Sequence, residues 1–159
     1  GNIVGPGENY KEIGLATNSF GQGIAVTPIQ MVAAVNTIAN NGHYIKPTLV
    51  ENEVNTKVKV LEPEAVSSIT TVMKLAVEEG EAKWSKPKSL SVAGKTGTAQ
   101  IPIEGHYDPD KTIASFVGFF PAEDPKYTML VSLREPKTSI WGSETAAPLW
   151  FAIAKQLLL

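Results

Sequence analysis

Apolar and polar positions follow two periods along this chain, and the switches between them mark its elements. The run GQGIAVTPIQMVAAVNTIANNG, from Gly21 to Gly42, has a helical period that places Ile29, Val32, Ala33 and Asn36 on one face. Thr27 is set to cap that helix, and Gln30 three residues later completes a capping box. Pro28 suits the first helical position, where its missing N–H would have no partner in any case. Asn41-Gly42 ends the helix, because these two residue types tolerate the left-handed backbone of a C-terminus. The pattern predicts a helix over 28–40.

The next stretch, HYIKPTLVENEVNTKVKVLEP, alternates and is rich in β-branched residues, which predicts short strands and turns. PEAVSSITTVMKLAVEEG returns to the helical period, with Val66, Ile69, Met73, Ala76 and Val77 as its stripe and Gly80 as its stop. Residues 81–90, which include Pro87, read as a loop. Three strand-like runs follow, at 90–101, 113–120 and 127–134, with loops around Pro109 and Pro125 between them. Connections this short favour antiparallel neighbours. GSETAAPLWFAIAKQLLL is a closing helix, capped by Ser143 or Thr145, with Pro148 in its first turn. The opening 5–23 segment, rich in Gly, Asn and Pro, reads as irregular. Trp84, Trp141 and Trp150 read as packing anchors, and Gly21 and Gly23 as positions of special backbone geometry. The predicted order is helix, small β region, helix, three antiparallel strands, helix. That is an α/β sandwich with helices on the faces of an antiparallel sheet.

Composition narrows the classes of function. The chain has 159 residues, 43% of them hydrophobic, enough for one domain's core or part of a larger one. Fourteen basic and 16 acidic residues leave a net charge of −2, so there is no basic field for nucleic acid. The absence of cysteine excludes disulfides and thiolate metal sites. His43 and His106 have no ligand spacing around them, so neither metal nor cofactor is expected. No run approaches the roughly 20 apolar residues that span a bilayer. The start, Gly1-Asn2-Ile3, has neither a signal-peptide pattern nor an initiator methionine, and the chain reads as a piece of a longer one.

Candidate chemistry concentrates in SVAGKTGTAQ, from Ser91 to Gln100. A P-loop reading fails, because the first glycine of that motif would have to stand where Ser89 stands, and the flanks read as strand. A solvated strand with an outward lysine is the plain alternative. On a strand, Lys95 and Gly97 point one way and Thr96 and Thr98 the other. Gly97 leaves room for an extended substrate backbone, and the strand edge could pair with a peptide. Lys95 would supply positive charge, the threonine hydroxyls could bind a carboxylate, and a backbone N–H past Gly97 could face an oxyanion. That is half of an acyl-transfer site, since such a reaction needs an activated nucleophile with a base in reach.

The chain resembles the penicillin-binding serine transferases, whose motif set is Ser-x-x-Lys, Ser-x-Asn and Lys-Thr-Gly. AGKTGTAQ resembles the third motif. SFGQGIAVTPIQMVAAVNTIANNGHYIKPTLV resembles the segment before it in class B penicillin-binding proteins, IASFVGFFPAEDPKYTMLVSL the two strands after it, and AAPLWFAIAKQLL the closing helix. The resemblance covers nearly the whole chain in order. It implies a β-lactamase/transpeptidase-like α/β fold, of which residues 1–159 are the C-terminal part of one transpeptidase domain. This part carries about three strands and three main helices of a five-stranded sheet. It implies peptidoglycan cross-linking by serine acyl transfer from D-Ala-D-Ala stem peptides, with β-lactams trapped as acyl-enzymes.

By residue, the resemblance makes Lys95 the motif lysine that shapes the electrostatics around the nucleophile. Thr96 and Thr98 become the carboxylate-holding hydroxyls, Gly97 the clearance, the Thr98 N–H one oxyanion donor, and Gln100 a further groove residue. The first two motifs are absent. Ser85-Lys86-Pro87-Lys88 matches Ser-x-x-Lys formally, but Pro87 and the loop composition oppose the buried helix that would desolvate the lysine. Thr71-Val72-Met73-Lys74 is helical but has threonine for serine. The nucleophile is therefore expected in a missing N-terminal part, in the same or a second chain. Other implied partners are a cell-wall synthesis complex and the outer face of the bacterial cytoplasmic membrane, reached through an N-terminal anchor. Two readings stay open beside this one: a non-catalytic β-lactam-sensing or scaffold module, and a serine β-lactamase. His106 is expected in a loop near the groove.

Overall fold

The computed structural model describes residues 12–19, 21, 23–51, 55–103 and 106–158. A short helix α1 (Glu12–Ser19) comes first, where the composition predicted irregular chain. Helix α2 (Pro28–Ala39) has the capping box in full: the Thr27 side chain accepts from the Gln30 N–H, and the Gln30 side chain accepts from the Thr27 N–H. Asn41 and Gly42 have φ of +53° and +82°, the left-handed ending expected of them. The buried residues of α2 are Ala33, Val35 and Thr37, whereas Ile29 is 55% exposed. Ala33 of the predicted face is buried and Val32 and Asn36 are half-buried, while the residues of α2 that pack into the core beside Phe119 are Val35, Ile38 and Ala39.

Strands β1 (His43–Ile45) and β2 (Lys57–Lys59) pair antiparallel as a small ribbon. Helix α3 (Pro63–Glu78) buries Val66, Met73 and Val77 of the predicted stripe and leaves Ile69 exposed. The segment after it contains a 3-10 turn, Glu81–Trp84. Then β3 (Ala93–Ile103), β4 (His106–Phe120) and β5 (Tyr127–Arg134) form a three-stranded antiparallel sheet in the order β3-β4-β5. The hairpin is longer than predicted. The pairing slips between Gln100 and Pro102 and then resumes, so that His106 opens β4 opposite Ile103 and Pro109 lies within the strand. His106 is therefore a strand residue and not a loop residue. A proline is tolerated next to such a bulge, where a ladder bond is already lost.

Side chains alternate across β4 and separate two cores. Phe116 and Phe120 join Val131 of β5 and Trp150 and Phe151 of helix α4 (Ala146–Leu157). Phe119 faces the other way, with Val35 of α2 and Met73 of α3. Trp150 is fully buried, stands 5.0 Å from Phe116 between ring centroids, and donates its indole N–H to the Met129 carbonyl at 2.9 Å. That one side chain fastens α4 to β5. Neither predicted cap of α4 acts as one. Thr145 is the N-cap residue but makes no side-chain cap hydrogen bond, and its hydroxyl donates to the Trp141 carbonyl instead.

Candidate active site

Lys95, Thr96, Gly97 and Thr98 lie in the first half of β3, an outer strand of the sheet among the described residues, opposite Val117, Phe116, Ser115 and Ala114 of β4. The register puts Thr96 and Thr98 on the α4 face with Phe116, and Lys95 and Gly97 on the α2/α3 face with Val117 and Ser115, as the period of two requires. Gln100 is exposed further along the same strand, just before the bulge. The sequence prediction that these five residues share one strand is met.

The polar groups here are engaged in a particular sense. The Lys95 ammonium donates to the Thr96 carbonyl at 2.9 Å and to the Thr96 hydroxyl oxygen at 3.3 Å. The Thr98 hydroxyl oxygen accepts from the Gly142 N–H at 3.0 Å. A hydroxyl has one proton to donate and two lone pairs to accept with. At both threonines the protein takes a lone pair and leaves the proton, so both hydroxyls are disposed as donors. Together with the Lys95 charge they make an edge suited to an anion. The space over Gly97 is used by a side chain of this same protein. A Cβ at 97 would stand 2.6 Å from Ser115 Oγ, and Ser115 donates to the Gly97 carbonyl at 3.4 Å.

Pattern reasoning missed Gly142, Thr112 and Ser115. The 139–142 segment lies over β3 and β4, where a Cβ on Gly142 would fall 2.5 Å from the Gly97 carbonyl oxygen and 2.7 Å from that of Ser115. The buried Thr112 hydroxyl donates to the Ile140 carbonyl at 2.7 Å and pins the segment from beneath. No local signal marks these residues, since the Gly142–Thr98 contact spans 44 positions.

Other predicted candidates stand elsewhere. Ser85 closes the 3-10 turn and donates its hydroxyl to the Ala82 carbonyl at 3.1 Å. Lys74 pairs with Glu123 at 2.5 Å, and Ser91 donates to the same carboxylate at 2.8 Å. The Lys74 hydrogen bond, then that of Ser91, lowers the Glu123 carboxyl from 4.5 to about 2. Gly21 and Gly23 have φ of +87° and +76°, as backbone-geometry positions should. Of the three tryptophans only Trp150 is a packing anchor, for Trp84 is 86% and Trp141 51% exposed. They line an open cleft with Ser85 and Glu144, and a second cleft lies between α2, α3 and Glu123. Neither is lined by Lys95, Thr96 or Thr98.

The model of one family, the penicillin-binding protein transpeptidase domain, matches residues 1–158. The chain belongs to this family. It is 34% identical to stage V sporulation protein D of Bacillus subtilis, over 92% of this chain and 25% of that protein. It is 29% identical to penicillin-binding protein PbpB of Mycolicibacterium smegmatis, over 98% of this chain and 28% of that protein. The chain thus spans about a quarter of the length of these curated relatives. Among solved structures, the transpeptidase domain of Burkholderia pseudomallei penicillin-binding protein 3 superposes with a TM-score of 0.84 at 29% identity. The match covers 98% of this chain and 49% of that one. Penicillin-binding protein 3 of Mycobacterium tuberculosis in complex with ampicillin gives 0.80 at 26% identity, over 98% and 39%. The α/β sheet-and-helix architecture described above is therefore that of the penicillin-binding transpeptidase fold.

Proposed function

We propose that this chain supplies the substrate-carboxylate and oxyanion side of a peptidoglycan D,D-transpeptidase, which cross-links stem peptides by serine acyl transfer and is acylated by β-lactams. The observation that carries the reading is the Lys95-Thr96-Gly97-Thr98 edge, where two threonine hydroxyls are left as donors beside a lysine charge. The terminal carboxylate of a D-Ala-D-Ala peptide, or that of a penicillin, meets the donor pair. Backbone alternation supports the oxyanion role of Thr98. The Thr96 carbonyl is reached by Lys95 at the strand edge, and in an antiparallel ladder the N–H of the residue two positions on faces the same edge. Lys95 holds positive charge beside the site, and Gln100 extends the groove along the strand.

In this reading residues 1–159 are the C-terminal part of a single transpeptidase domain. The nucleophile, its Ser-x-x-Lys lysine and a membrane anchor belong to the rest of the protein. The Ser85 geometry favours this assignment, because its hydroxyl is already given to the Ala82 carbonyl of its own turn. The acylation is a simple addition: the serine oxygen bonds to the carbonyl carbon and the β-lactam C–N bond opens. That nitrogen takes the proton, so no co-reactant is required.

Intact mass after incubation with benzylpenicillin tests it. The full protein should gain one penicilloyl group, and the 159-residue chain alone should keep its mass. An adduct on the isolated chain would mean that a nucleophile is present here, with Ser85 the first to replace.

A further inference from the structure

The 139–142 segment belongs to none of the motifs that define the site, yet it is fixed to the strand that carries it. Three observations meet there. The Gly142 N–H donates to Thr98 Oγ1 at 3.0 Å. Gly142 sits so close over the Gly97 and Ser115 carbonyls that any side chain would collide with them at 2.5 and 2.7 Å. The Thr112 hydroxyl, itself buried, grips the Ile140 carbonyl at 2.7 Å.

From this we infer that Gly142 is a positioning residue for the Thr98 hydroxyl, and that the segment anchored by Thr112 makes Thr98 selective for an anionic group. The inference rests on the reading of Thr98 as a carboxylate ligand. A free threonine hydroxyl can rotate and act either as donor or as acceptor. An N–H directed at its oxygen takes one lone pair and disfavours rotamers that would turn that oxygen away. The hydroxyl proton is then left for a ligand that can only accept. A carboxylate is such a ligand, whereas a neutral amide offers protons as well as an oxygen. Glycine at 142 is what allows the backbone to come within hydrogen-bond reach of Thr98, because the two carbonyls beneath leave no volume for a Cβ.

The test uses the full protein that carries this chain. Acylation rate constants are measured by intact mass with benzylpenicillin and with the analogue whose ring carboxylate is an amide. Removing an oriented hydrogen bond to a charged group should cost about tenfold in rate. Gly142→Ala should therefore slow acylation by the carboxylate form about tenfold, and acylation by the neutral form much less. Thr98→Val should show the same selectivity, and the double variant should be no slower than Thr98→Val alone. Thr98→Ser should restore most of the rate. If Gly142→Ala does not fold, Thr112→Val decides, since it loosens the segment without adding volume; it should give a smaller loss of the same selectivity. Equal loss with both forms, or no loss, overturns the positioning role. Should Thr98→Val leave both rates unchanged, the carboxylate reading of Thr98 itself fails. That result is distinct from a Thr98 effect that Gly142 does not share.

Discussion

Gly97 and Ser115 are a matched pair at the residue scale. A methyl group at 97 would meet the Ser115 hydroxyl at 2.6 Å, and that hydroxyl is the movable end of a small side chain. Gly97→Ala should therefore destabilise the full protein by about 1–2 kcal/mol. Adding Ser115→Ala should recover most of the loss, because it removes the atom that is struck. Chemical denaturation of the four proteins checks this, and simple addition of the two losses would refute it. The Glu123 carboxylate makes a separate prediction. Its folded pKa lies at about 2, below the ordinary 4.5, chiefly through the Lys74 hydrogen bond and then that of Ser91. A lowered carboxylate stabilises the fold above the unfolded value, and the contribution fades as pH falls from 4.5 towards 2. Both partners are solvent-accessible, so the effect should stay below about 1 kcal/mol. The difference in unfolding free energy between wild type and Glu123→Gln should shrink across that acid window and stay level above it.

At the scale of elements, α4 is held by its aromatic face. Trp150 packs against Phe116, Phe120 and Phe151 with centroids 5.0, 5.1 and 5.5 Å away. Trp150→Ala removes that packing and leaves the Met129 carbonyl without its donor. The loss should be about 3–5 kcal/mol. Trp150→Phe should cost less, since it keeps most of the volume and gives up mainly the hydrogen bond. The consequence reaches the site, because α4 begins just after the Gly142 segment that touches Thr98. Thermal unfolding together with penicillin acylation would show both effects moving in the same direction. Most element types were legible from period and caps. The Thr27–Gln30 box and the Asn41-Gly42 ending needed only local chemistry. The length of the β3–β4 hairpin was not legible, because Pro109 reads as a breaker until a bulge is known to lie beside it. The inward faces of α2 and α3 were legible only in part, since what a helix buries depends on where its neighbours cross it.

For the whole molecule, the three-stranded sheet has β5 as an outer strand that pairs with β4 alone among the described residues. An edge of eight residues with half-buried apolar side chains is a template for another strand. The isolated 159-residue chain should therefore associate, and should unfold less cooperatively than the full protein. Light scattering and denaturation test this together; a sharp, monomeric transition would count against it. On the reading proposed above, in which this chain is part of a larger transpeptidase domain, further strands would join at this edge.

The sequence by itself determined most of the element types, though not the short helix α1 or the 3-10 turn, together with the antiparallel order of the three strands and the strand holding Lys95, Thr96, Gly97, Thr98 and Gln100. Helical and strand periods, caps and short connections are local properties, and a motif read on a strand keeps its alternation. Tertiary structure alone decided that Ser115 uses the clearance at Gly97, and that Trp84 and Trp141 stand exposed while Trp150 is buried. It alone decided that Gly142 meets the Thr98 hydroxyl from 44 positions away. Each of those outcomes depends on which surfaces the packed sheet brings within a few ångströms of one another, and no local pattern encodes such a distance.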